Sequence, residues 1–229
     1  WLDSRFKLKY FKFLIDSLKK EHYNLVFDLH PDPRNILLAF LVGDYAAGFN
    51  YRGFGFLLYK SAPYKNTHII EQNFNLLKKL KIDAKNKETE FYYSKKEEEK
   101  VNIYLKKIKI RKFICIHPGT RRSEKKWHTE KWTELCSILL KRNFCILLTG
   151  SKEEKDFNEG IAKKFSKKSS IFNMAGKTSL IELGILIKKR SLFIGPDTGA
   201  LHIARAVKTP LVGLFATENP FIWGYTEKK

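Results

Sequence analysis

The sequence predicts an α/β protein with parallel sheets, and three observations support this class. Short apolar runs alternate with amphipathic segments along most of the 229 residues. Each apolar run ends in a polar loop, and helical spacing of apolar residues resumes soon after that loop. Between residues 113 and 215, strand and helix alternate five times. Strands joined by helices pair in parallel and are covered on both faces, so a doubly wound sheet is expected.

The amino-terminal part shows the same alternation less regularly. Apolar spacing predicts helices over residues 1–20, 35–42, 67–81 and 95–107, and strands over 23–29, 45–49 and 90–93. The basic stretch 108–112 is interpreted as the connection between two domains. We therefore expect two domains, residues 1–110 and residues 111–229.

The carboxyl-terminal part is more regular. Strands are predicted over residues 113–117, 145–148, 171–174, 191–194 and 211–215. Helices are predicted over 130–141 and 200–207, with two further helices beginning at about residues 153 and 179.

The most informative segment is Gly195-Pro196-Asp197-Thr198-Gly199-Ala200-Leu201-His202, where a buried strand gives way to a helix. A helix that begins at the carboxyl end of a parallel strand directs unpaired N–H groups and a positive dipole end towards any anion. A phosphate-bearing ligand is therefore expected. The alternative is an N-capping Asp197 or Thr198 with a buried His202 one turn later.

Similar polar loops follow the other strands, and parallel strands end at one edge of the sheet. Side chains far apart in sequence should therefore converge there, namely Thr120, Lys125, Gly150, Lys177, Asp197, Thr198 and His202. This convergence predicts a binding site.

Composition limits the possible partners. The formal net charge is +20, spread over amphipathic helices in both halves of the chain, and it indicates either a solvated face or attraction to anionic lipid or a polyanionic acceptor. The three cysteines show no C-x-x-C spacing, so neither zinc nor disulfides are expected. No metal or cofactor is predicted.

No apolar run approaches the roughly 18 residues that span a bilayer, and a cytosolic protein is expected.

Four motifs occur in an order that resembles glycosyltransferase family 9, the ADP-heptose:lipopolysaccharide heptosyltransferases. They are His117-Pro118-Gly119-Thr120 with Lys125 and Trp127, Leu148-Thr149-Gly150, Ala175-Gly176-Lys177-Thr178-Ser179-Leu180, and Gly195-Pro196-Asp197-Thr198-Gly199 with His202 and Ala204. The match is strong over residues 113–220 and weaker over 23–60. The resemblance implies a GT-B fold of two Rossmann-like doubly wound domains, the first incomplete. Residues 1–110 would form the acceptor side and residues 111–229 would bind the nucleotide sugar.

The resemblance also implies roles for individual residues. Thr120 and Lys125 would hold the phosphates and the sugar, and Asp197 would accept hydrogen bonds from sugar hydroxyls. Thr198 and Gly199 would present backbone N–H groups to the diphosphate.

Further residues are assigned by the same resemblance. Gly150 belongs to the donor side, and Thr178 is expected to cap its helix near the adenine. His202 either orients the Asp197 loop or fills the core. His30 and Arg34 are weak candidates for contacts with an acidic acceptor.

No catalytic residue can be assigned from this sequence. Family members carry their catalytic carboxylate in the first strand-to-helix loop of the amino-terminal domain, and this position would lie upstream of Trp1. The chain is therefore interpreted as a fragment that lacks both ends of the family fold, and it is expected to be inactive alone.

The predicted function is inverting, metal-independent transfer of heptose from ADP-heptose to the inner core of lipopolysaccharide. The protein would work in the cytoplasm, in peripheral contact with the anionic inner face of the bacterial inner membrane. One alternative is another nucleotide-sugar transferase of GT-B fold. The other is a non-catalytic basic module that binds nucleic acid or anionic membrane, although no nucleic-acid motif occurs and no nucleic-acid partner is predicted.

Overall fold

A computed structural model describes residues 8–30, 32–108, 110, 112–166 and 170–225. The chain divides into two compact units, Trp1–Lys87 and Glu88–Lys229, which are called unit 1 and unit 2 below. The first seven residues of the helix predicted over 1–20, and positions 109 and 111 of the predicted join, lie outside the described residues.

Unit 1 contains a parallel sheet of three strands in the order β1-β2-β3. Its elements are α1 (Leu8–Lys19), β1 (Leu25–Asp28), α2 (Pro33–Val42), β2 (Tyr45–Asn50), a 3-10 turn (Phe54–Leu57), β3 (Lys60–Pro63) and α3 (Ile69–Lys79). The sequence did not predict β3. This strand buries Ala62 and exposes Lys60 and Pro63, so it lacks the run of apolar residues that indicates a strand.

Unit 2 contains a five-stranded parallel sheet, as predicted. Its elements are α4 (Lys95–Lys107), β4 (Ile114–Ile116), a 3-10 turn (Ser123–Lys125), α5 (Thr129–Lys141), β5 (Ile146–Leu148), α6 (Lys155–Ala162), β6 (Ile171–Asn173), α7 (Leu180–Lys188), β7 (Leu192–Pro196), α8 (Gly199–Ala206), β8 (Leu211–Leu214) and α9 (Pro220–Trp223). The strand order is β6-β5-β4-β7-β8, which is the Rossmann order.

Both faces of this sheet are buried at its three inner strands, β4, β5 and β7. Ile114 and Ile116 of β4 pack into the cluster that contains Trp132 of α5, whereas Cys115 between them packs into the cluster that contains Leu201 of α8. Because successive residues of a strand point to opposite faces, a strand covered on both sides reads as a continuous apolar run. This is why the strands of unit 2 could be recognised from the sequence.

The observed division between the units differs from the predicted boundary at residue 110. Val101 and Leu105 of α4 lie in the core of unit 2, and the Phe91 ring packs so closely on Gly184 of α7 that an added Cβ would lie 2.3 Å from it. Residues 88–110 therefore belong to unit 2. The strand predicted over 90–93 is wrong, because the segment is irregular and its apolar rings pack on α7 instead of pairing with a sheet.

The cysteines are packing residues, as expected. Cys115 and Cys136 are buried and Cys145 is half-buried. Burial raises the pKa of the Cys115 and Cys136 thiols to about 12 and that of Cys145 to about 11. None of the three carries thiolate character at neutral pH.

The strand order creates a crevice at one point of the edge where the strands of unit 2 end. The neighbouring strands β4 and β7 are followed by α5 and α8, which pack on opposite faces of the sheet. At such a switch point the two connections diverge and leave an opening between the carboxyl ends of the strands. This opening is where ligands bind in folds of this type.

Asp28, at the end of β1 in unit 1, is a buried carboxyl group with an incomplete set of partners. It lines a mainly apolar cavity of about 440 Å³. Its Oδ1 accepts the backbone N–H of His30 at 3.1 Å, whereas its Oδ2 has no partner among the described residues. Burial raises the pKa of Asp28 to about 6, against the lowering effect of the His30 hydrogen bond.

We expect Asp28→Asn to remove a pH dependence of stability. The pKa of Asp28 is higher in the folded chain, at about 6, than its ordinary value of 3.8. The folded state therefore binds the proton more tightly, and its free energy of unfolding falls as pH rises from about 4 to above 6. A shift of this size corresponds to roughly 2 to 3 kcal/mol. Urea unfolding of both proteins at about pH 4 and about pH 8 measures it, and parallel changes in the two proteins would contradict the assignment.

Candidate functional site

The loop after β7 holds a carboxylate whose two oxygens are both engaged. Asp197 is buried, and its Oδ1 lies 3.5 Å from Nε2 of His202, one turn into α8. The other ring nitrogen of His202 lies 2.9 Å from the hydroxyl of Tyr225. The side chain of His202 is 38% exposed, so it does not fill the core. Of the two alternatives for His202, the geometry favours orientation of the Asp197 carboxylate.

Lys125 reaches this carboxylate from the loop after β4. Its Nζ donates a hydrogen bond to Oδ2 of Asp197 at 2.6 Å and lies 3.4 Å from Oε1 of Glu218, in the loop after β8. The side chain of Lys125 is only 10% exposed. The ammonium group is therefore held at the crevice between β4 and β7, enclosed by two carboxylates.

A second cation lies next to Lys125. Nη1 of Arg122 donates to Oε1 of Glu218 at 2.6 Å, and its Nε donates to Glu124 at 2.9 Å. The Thr120 hydroxyl accepts the backbone N–H of Arg122 at 3.3 Å, which holds the start of this loop. Thr120 is buried and this hydrogen bond fixes the start of the loop that carries the two cations, while its contact with phosphates and sugar stays a prediction.

The amino-terminal end of α8 faces the same crevice. Thr198 occupies the N-cap position, but its side chain makes no capping hydrogen bond, and its Oγ1 is buried without a partner among the described residues. The first backbone N–H groups of a helix, here those of Gly199 and Ala200, have no acceptor within the helix. The capping alternative for Thr198 is therefore not observed, and donor groups and a positive dipole end point towards Lys125 and Asp197.

The neighbouring strand ends of β4 and β5 enclose a third carboxylate. An added Cβ on Gly119 would lie 2.1 Å from Oε1 of Glu154, and one on Gly150 would lie 2.9 Å from Oε2. The backbone N–H of Ser151 donates to Oε2 at 2.7 Å. Gly119 and Gly150 therefore leave space for the Glu154 side chain, which sequence reasoning did not identify. Two glycines at adjacent strand ends were the signal that could have found it.

The His117 side chain, at the end of β4, lies next to the Glu154 carboxylate. Its Nδ1 lies 3.1 Å from the Thr149 hydroxyl, and its Nε2 lies 3.9 Å from Oε2 of Glu154. Burial lowers the pKa of His117, although the nearby Glu154 charge acts in the opposite direction. His117 is therefore neutral at pH 7, and it packs between the ends of β4 and β5, in contact with Thr149 and Glu154.

Lys177 and Thr178 lie at the same edge but farther along it, after β6. The sheet order places β6 three strands from β7, which corresponds to roughly 14 Å at the usual spacing of strands. Nζ of Lys177 donates to the backbone oxygen of Asn173 at 2.7 Å. The prediction that Thr178 caps its helix is wrong, because Ser179 forms the capping box of α7 with Glu182.

The acceptor-side candidates lie in unit 1, near the end of β1. Arg34 forms an ion pair with Asp32 at 2.6 Å, and Asp32 also caps α2. His30 is exposed. The Asp32 contact is a local reason for Arg34 to lie where it does, and contact of either residue with an acceptor stays a prediction.

Within the described parts of the chain, no group of three His, Cys, Asp or Glu side chains is placed to hold a metal ion. The positive charge at the crevice comes from Lys125, Arg122 and the end of α8. The residues that sequence reasoning missed, Glu154, Glu218 and Tyr225, are all contributed by loops or ends whose proximity depends on the tertiary fold.

Comparison with known proteins identifies the family of this chain. The family model described as glycosyltransferase family 9 (heptosyltransferase) matches residues 12–229. Lipopolysaccharide heptosyltransferase 3 of Escherichia coli K12 is 30% identical over an alignment of 230 residues, gaps included. The alignment covers 95% of this chain and 65% of that protein. The chain thus spans about two thirds of the length of this relative.

Solved structures show the same fold. A family 9 glycosyltransferase from Veillonella parvula superimposes with a TM-score of 0.76 at 15% identity, covering 95% of this chain and 65% of that one. E. coli ADP-heptose lipopolysaccharide heptosyltransferase II gives a TM-score of 0.74 at 19% identity, with 95% and 70% coverage. E. coli heptosyltransferase WaaC, solved with ADP, gives 0.67 at 17% identity, with 88% and 65% coverage. The predicted GT-B fold class is confirmed.

Proposed function

Because the chain belongs to glycosyltransferase family 9, we propose that it transfers heptose from ADP-heptose to the inner core of lipopolysaccharide, with inversion and without a metal ion. The observation that carries this proposal is the position of the Lys125 ammonium, which lies 2.6 Å from Asp197 at the amino-terminal end of α8. A buried cation beside free N–H groups suits the diphosphate of a nucleotide sugar.

The diphosphate is the part of the donor that this crevice fits best. As the bond to the sugar breaks, negative charge grows on the leaving phosphate, and fixed donors stabilise it without reorganisation. Lys125 supplies a charge, and Thr198 and Gly199 supply a free hydroxyl and backbone N–H groups. Asp197 and Glu218 neutralise the Lys125 charge, so a diphosphate must compete with these carboxylates.

Asp197 has a different role in this proposal. A carboxylate beside a diphosphate repels it, so its benefit must come from another part of the donor. Its oxygens accept hydrogen bonds, and the hydroxyls of the transferred sugar are the donors that lie next to the phosphate. His202 keeps this carboxylate in position through the 3.5 Å contact to Oδ1.

The nucleoside would extend from the crevice towards β5 and β6. Glu154 lies between the ends of β4 and β5, and its carboxylate can accept hydrogen bonds from ribose hydroxyls. The loop of Thr178 lies a further strand away, where a base linked to that ribose would reach. Gly150 is needed in this arrangement because a larger side chain would displace Glu154.

The acceptor, on this proposal, is a sugar of the lipopolysaccharide inner core carried by a lipid, and the protein works at the cytoplasmic face of the bacterial inner membrane. None of the described helices is long and apolar enough to cross a membrane. The excess of 20 positive charges favours peripheral contact with anionic lipid. His30 and Arg34 remain candidates for the acceptor side, and no described residue is assigned as the general base.

Donor exchange tests the proposal without an acceptor sugar. The protein should bind ADP-heptose, and saturating ADP should displace the bound sugar nucleotide competitively. Transfer to an inner-core acceptor also needs a general base, to which no described residue is assigned, so donor binding is the decisive measurement for this chain. Equal preference for UDP-linked or GDP-linked sugars would favour the alternative of another nucleotide-sugar transferase, and failure to bind any of them would reject the proposal.

A further inference from the structure

The connection between β2 and β3 in unit 1 exposes an unusual number of aromatic rings. Phe56 is 81% exposed and Phe54 38% exposed, and their ring centroids lie 6.4 Å apart. Tyr59 and Tyr45, 58% and 54% exposed, form a second ring pair at 4.8 Å. We call these four residues the aromatic surface. Single exposed apolar side chains are common on proteins, but adjoining exposed rings indicate a binding partner.

The backbone of this connection is fixed rather than loose. Arg52 and Gly53 take left-handed conformations, with φ values of 51° and 83°, and turn the chain sharply after β2. The Asn50 side chain accepts the backbone N–H of Gly55 at 3.1 Å, and an added Cβ on Gly55 would lie 2.6 Å from that side chain. The 3-10 turn that carries Phe54 is therefore tied to the end of β2. The exposure of its rings is built into the fold.

Positive charge predominates around the aromatic surface. From Tyr45 to Ile70 the sequence contains Arg52, Lys60 and Lys65 and no Asp or Glu, and the exposed Asp44 directly precedes this stretch. The Arg52 guanidinium lies 5.3 Å from the centroid of the Tyr51 ring, and the Lys60 ammonium lies 5.1 Å from that of Tyr59. Lys60 thus lies beside a ring of the aromatic surface and Arg52 beside Tyr51, which is nearby in sequence, and this suits a partner that offers both apolar and anionic groups.

We propose that the aromatic surface docks this protein onto an anionic phospholipid membrane, with Phe54 and Phe56 entering the boundary between headgroups and acyl chains. Aromatic rings favour this boundary, and Lys and Arg beside them reach lipid phosphates. The choice of a membrane as the partner rests on the proposed function, which places the protein at the inner membrane. The core of a protein–protein interface is depleted of charged residues, whereas here Arg52 and Lys60 lie beside aromatic rings, so a protein partner is disfavoured. A single-stranded nucleic acid would also stack on rings between cations, and the experiment separates this case.

Vesicle sedimentation tests the proposal directly. The intact chain should bind vesicles of phosphatidylethanolamine and phosphatidylglycerol about tenfold or more tightly than vesicles of phosphatidylcholine, at low ionic strength. Phe54→Ser combined with Phe56→Ser should weaken this binding about tenfold or more. Arg52→Gln and Lys60→Gln should each weaken it about fivefold at low salt. Because these side chains are exposed, the melting temperatures of the variants should stay close to that of the parent.

Tyr92→Ser is the matched control, since Tyr92 is 80% exposed and lies in unit 2, away from this connection in the sequence. Its vesicle binding should equal that of the parent. The proposal is overturned if the parent does not sediment with anionic vesicles, if the Phe54 and Phe56 variant binds them as the parent does, or if phosphatidylcholine vesicles bind equally well. It is also overturned if a single-stranded oligonucleotide binds the surface and anionic vesicles do not compete.

This experiment is separate from the test of the proposed function, because the vesicles carry neither lipopolysaccharide nor nucleotide. ADP titration of the same variants should give parental affinity. Lost vesicle binding with intact ADP binding would show that the surface acts in docking alone. Intact vesicle binding by a chain that binds no nucleotide sugar would reject the proposed function and retain the docking surface.

Discussion

Lys125→Met is expected to weaken ADP binding by about 1.5 to 3 kcal/mol, which is roughly a ten- to hundredfold increase in Kd. The substitution keeps the length of the side chain and removes the charge that faces the end of α8. Asp197 and Glu218 would then face the diphosphate without a neutralising cation. Calorimetric titration of parent and variant with ADP measures the change.

Lys125→Met should also lower stability, contrary to what a loop lysine suggests from sequence. The Lys125 and Asp197 side chains are 10% and 8% exposed, and removal of one partner from a buried ion pair leaves an uncompensated charge. Titrations must therefore be made well below the melting temperature of the variant.

Two further variants make this result specific. Lys126→Met changes an exposed neighbour and should leave ADP affinity unchanged. Glu218→Gln removes a competing carboxylate and should tighten ADP binding, because Lys125 and Arg122 both pair with Glu218. If Lys125→Met lowered the melting temperature but kept parental ADP affinity, Lys125 would be a structural residue and the diphosphate would have to bind elsewhere.

Asp197→Ala is expected to weaken binding of ADP-heptose far more than binding of ADP. The carboxylate repels phosphate and can help only through hydrogen bonds from sugar hydroxyls, so its removal costs affinity only when a sugar is present. Affinity for ADP itself should stay equal or rise. Titration of parent and variant with both ligands gives the two changes, and their difference isolates the sugar.

Asp197→Asn distinguishes shape from charge at this position. The amide keeps the size of the side chain and one acceptor oxygen, so it should lose less ADP-heptose affinity than Asp197→Ala does. His202→Gln should act in the same direction as Asp197→Asn but more weakly, because His202 orients the carboxylate through a 3.5 Å contact. Equal losses of ADP and ADP-heptose affinity in Asp197→Ala would mean that Asp197 only shapes the loop before α8.

The sheet of unit 2 could be predicted because its inner strands are buried on both faces. Runs such as Ile114–Ile116 and Ile146–Leu148 are continuous and apolar, and each is followed by a polar loop. In unit 1, β3 has a single buried residue and was missed. Residues 90–93 have the composition of a strand, but Phe91 fits against Gly184, a contact that only the tertiary fold provides.

The sequence predicted which strand ends form the candidate site, but it did not predict which charged side chains pair with one another there. Asp197, Thr198 and Lys125 follow apolar strands, so the edge on which they lie could be inferred. The Lys125–Asp197 hydrogen bond joins residues 72 positions apart, and the Arg122–Glu218 pair joins residues 96 positions apart. No periodicity carries such information, and charged pairs of this kind depend on loop conformations. The sequence therefore indicated Lys125 and Asp197 as residues of one edge, but it indicated neither their hydrogen bond nor the Arg122–Glu218 pair.

On the proposed function, the crevice between β4 and β7 binds the diphosphate of ADP through Lys125 and the end of α8 without a metal ion. Calorimetric titration of the chain with ADP, UDP and GDP, each with and without EDTA, tests this claim most directly. We predict saturable binding of one ADP per chain, unchanged by the chelator and tighter than that of UDP or GDP. Absence of ADP binding, or its loss on addition of EDTA, would contradict the account.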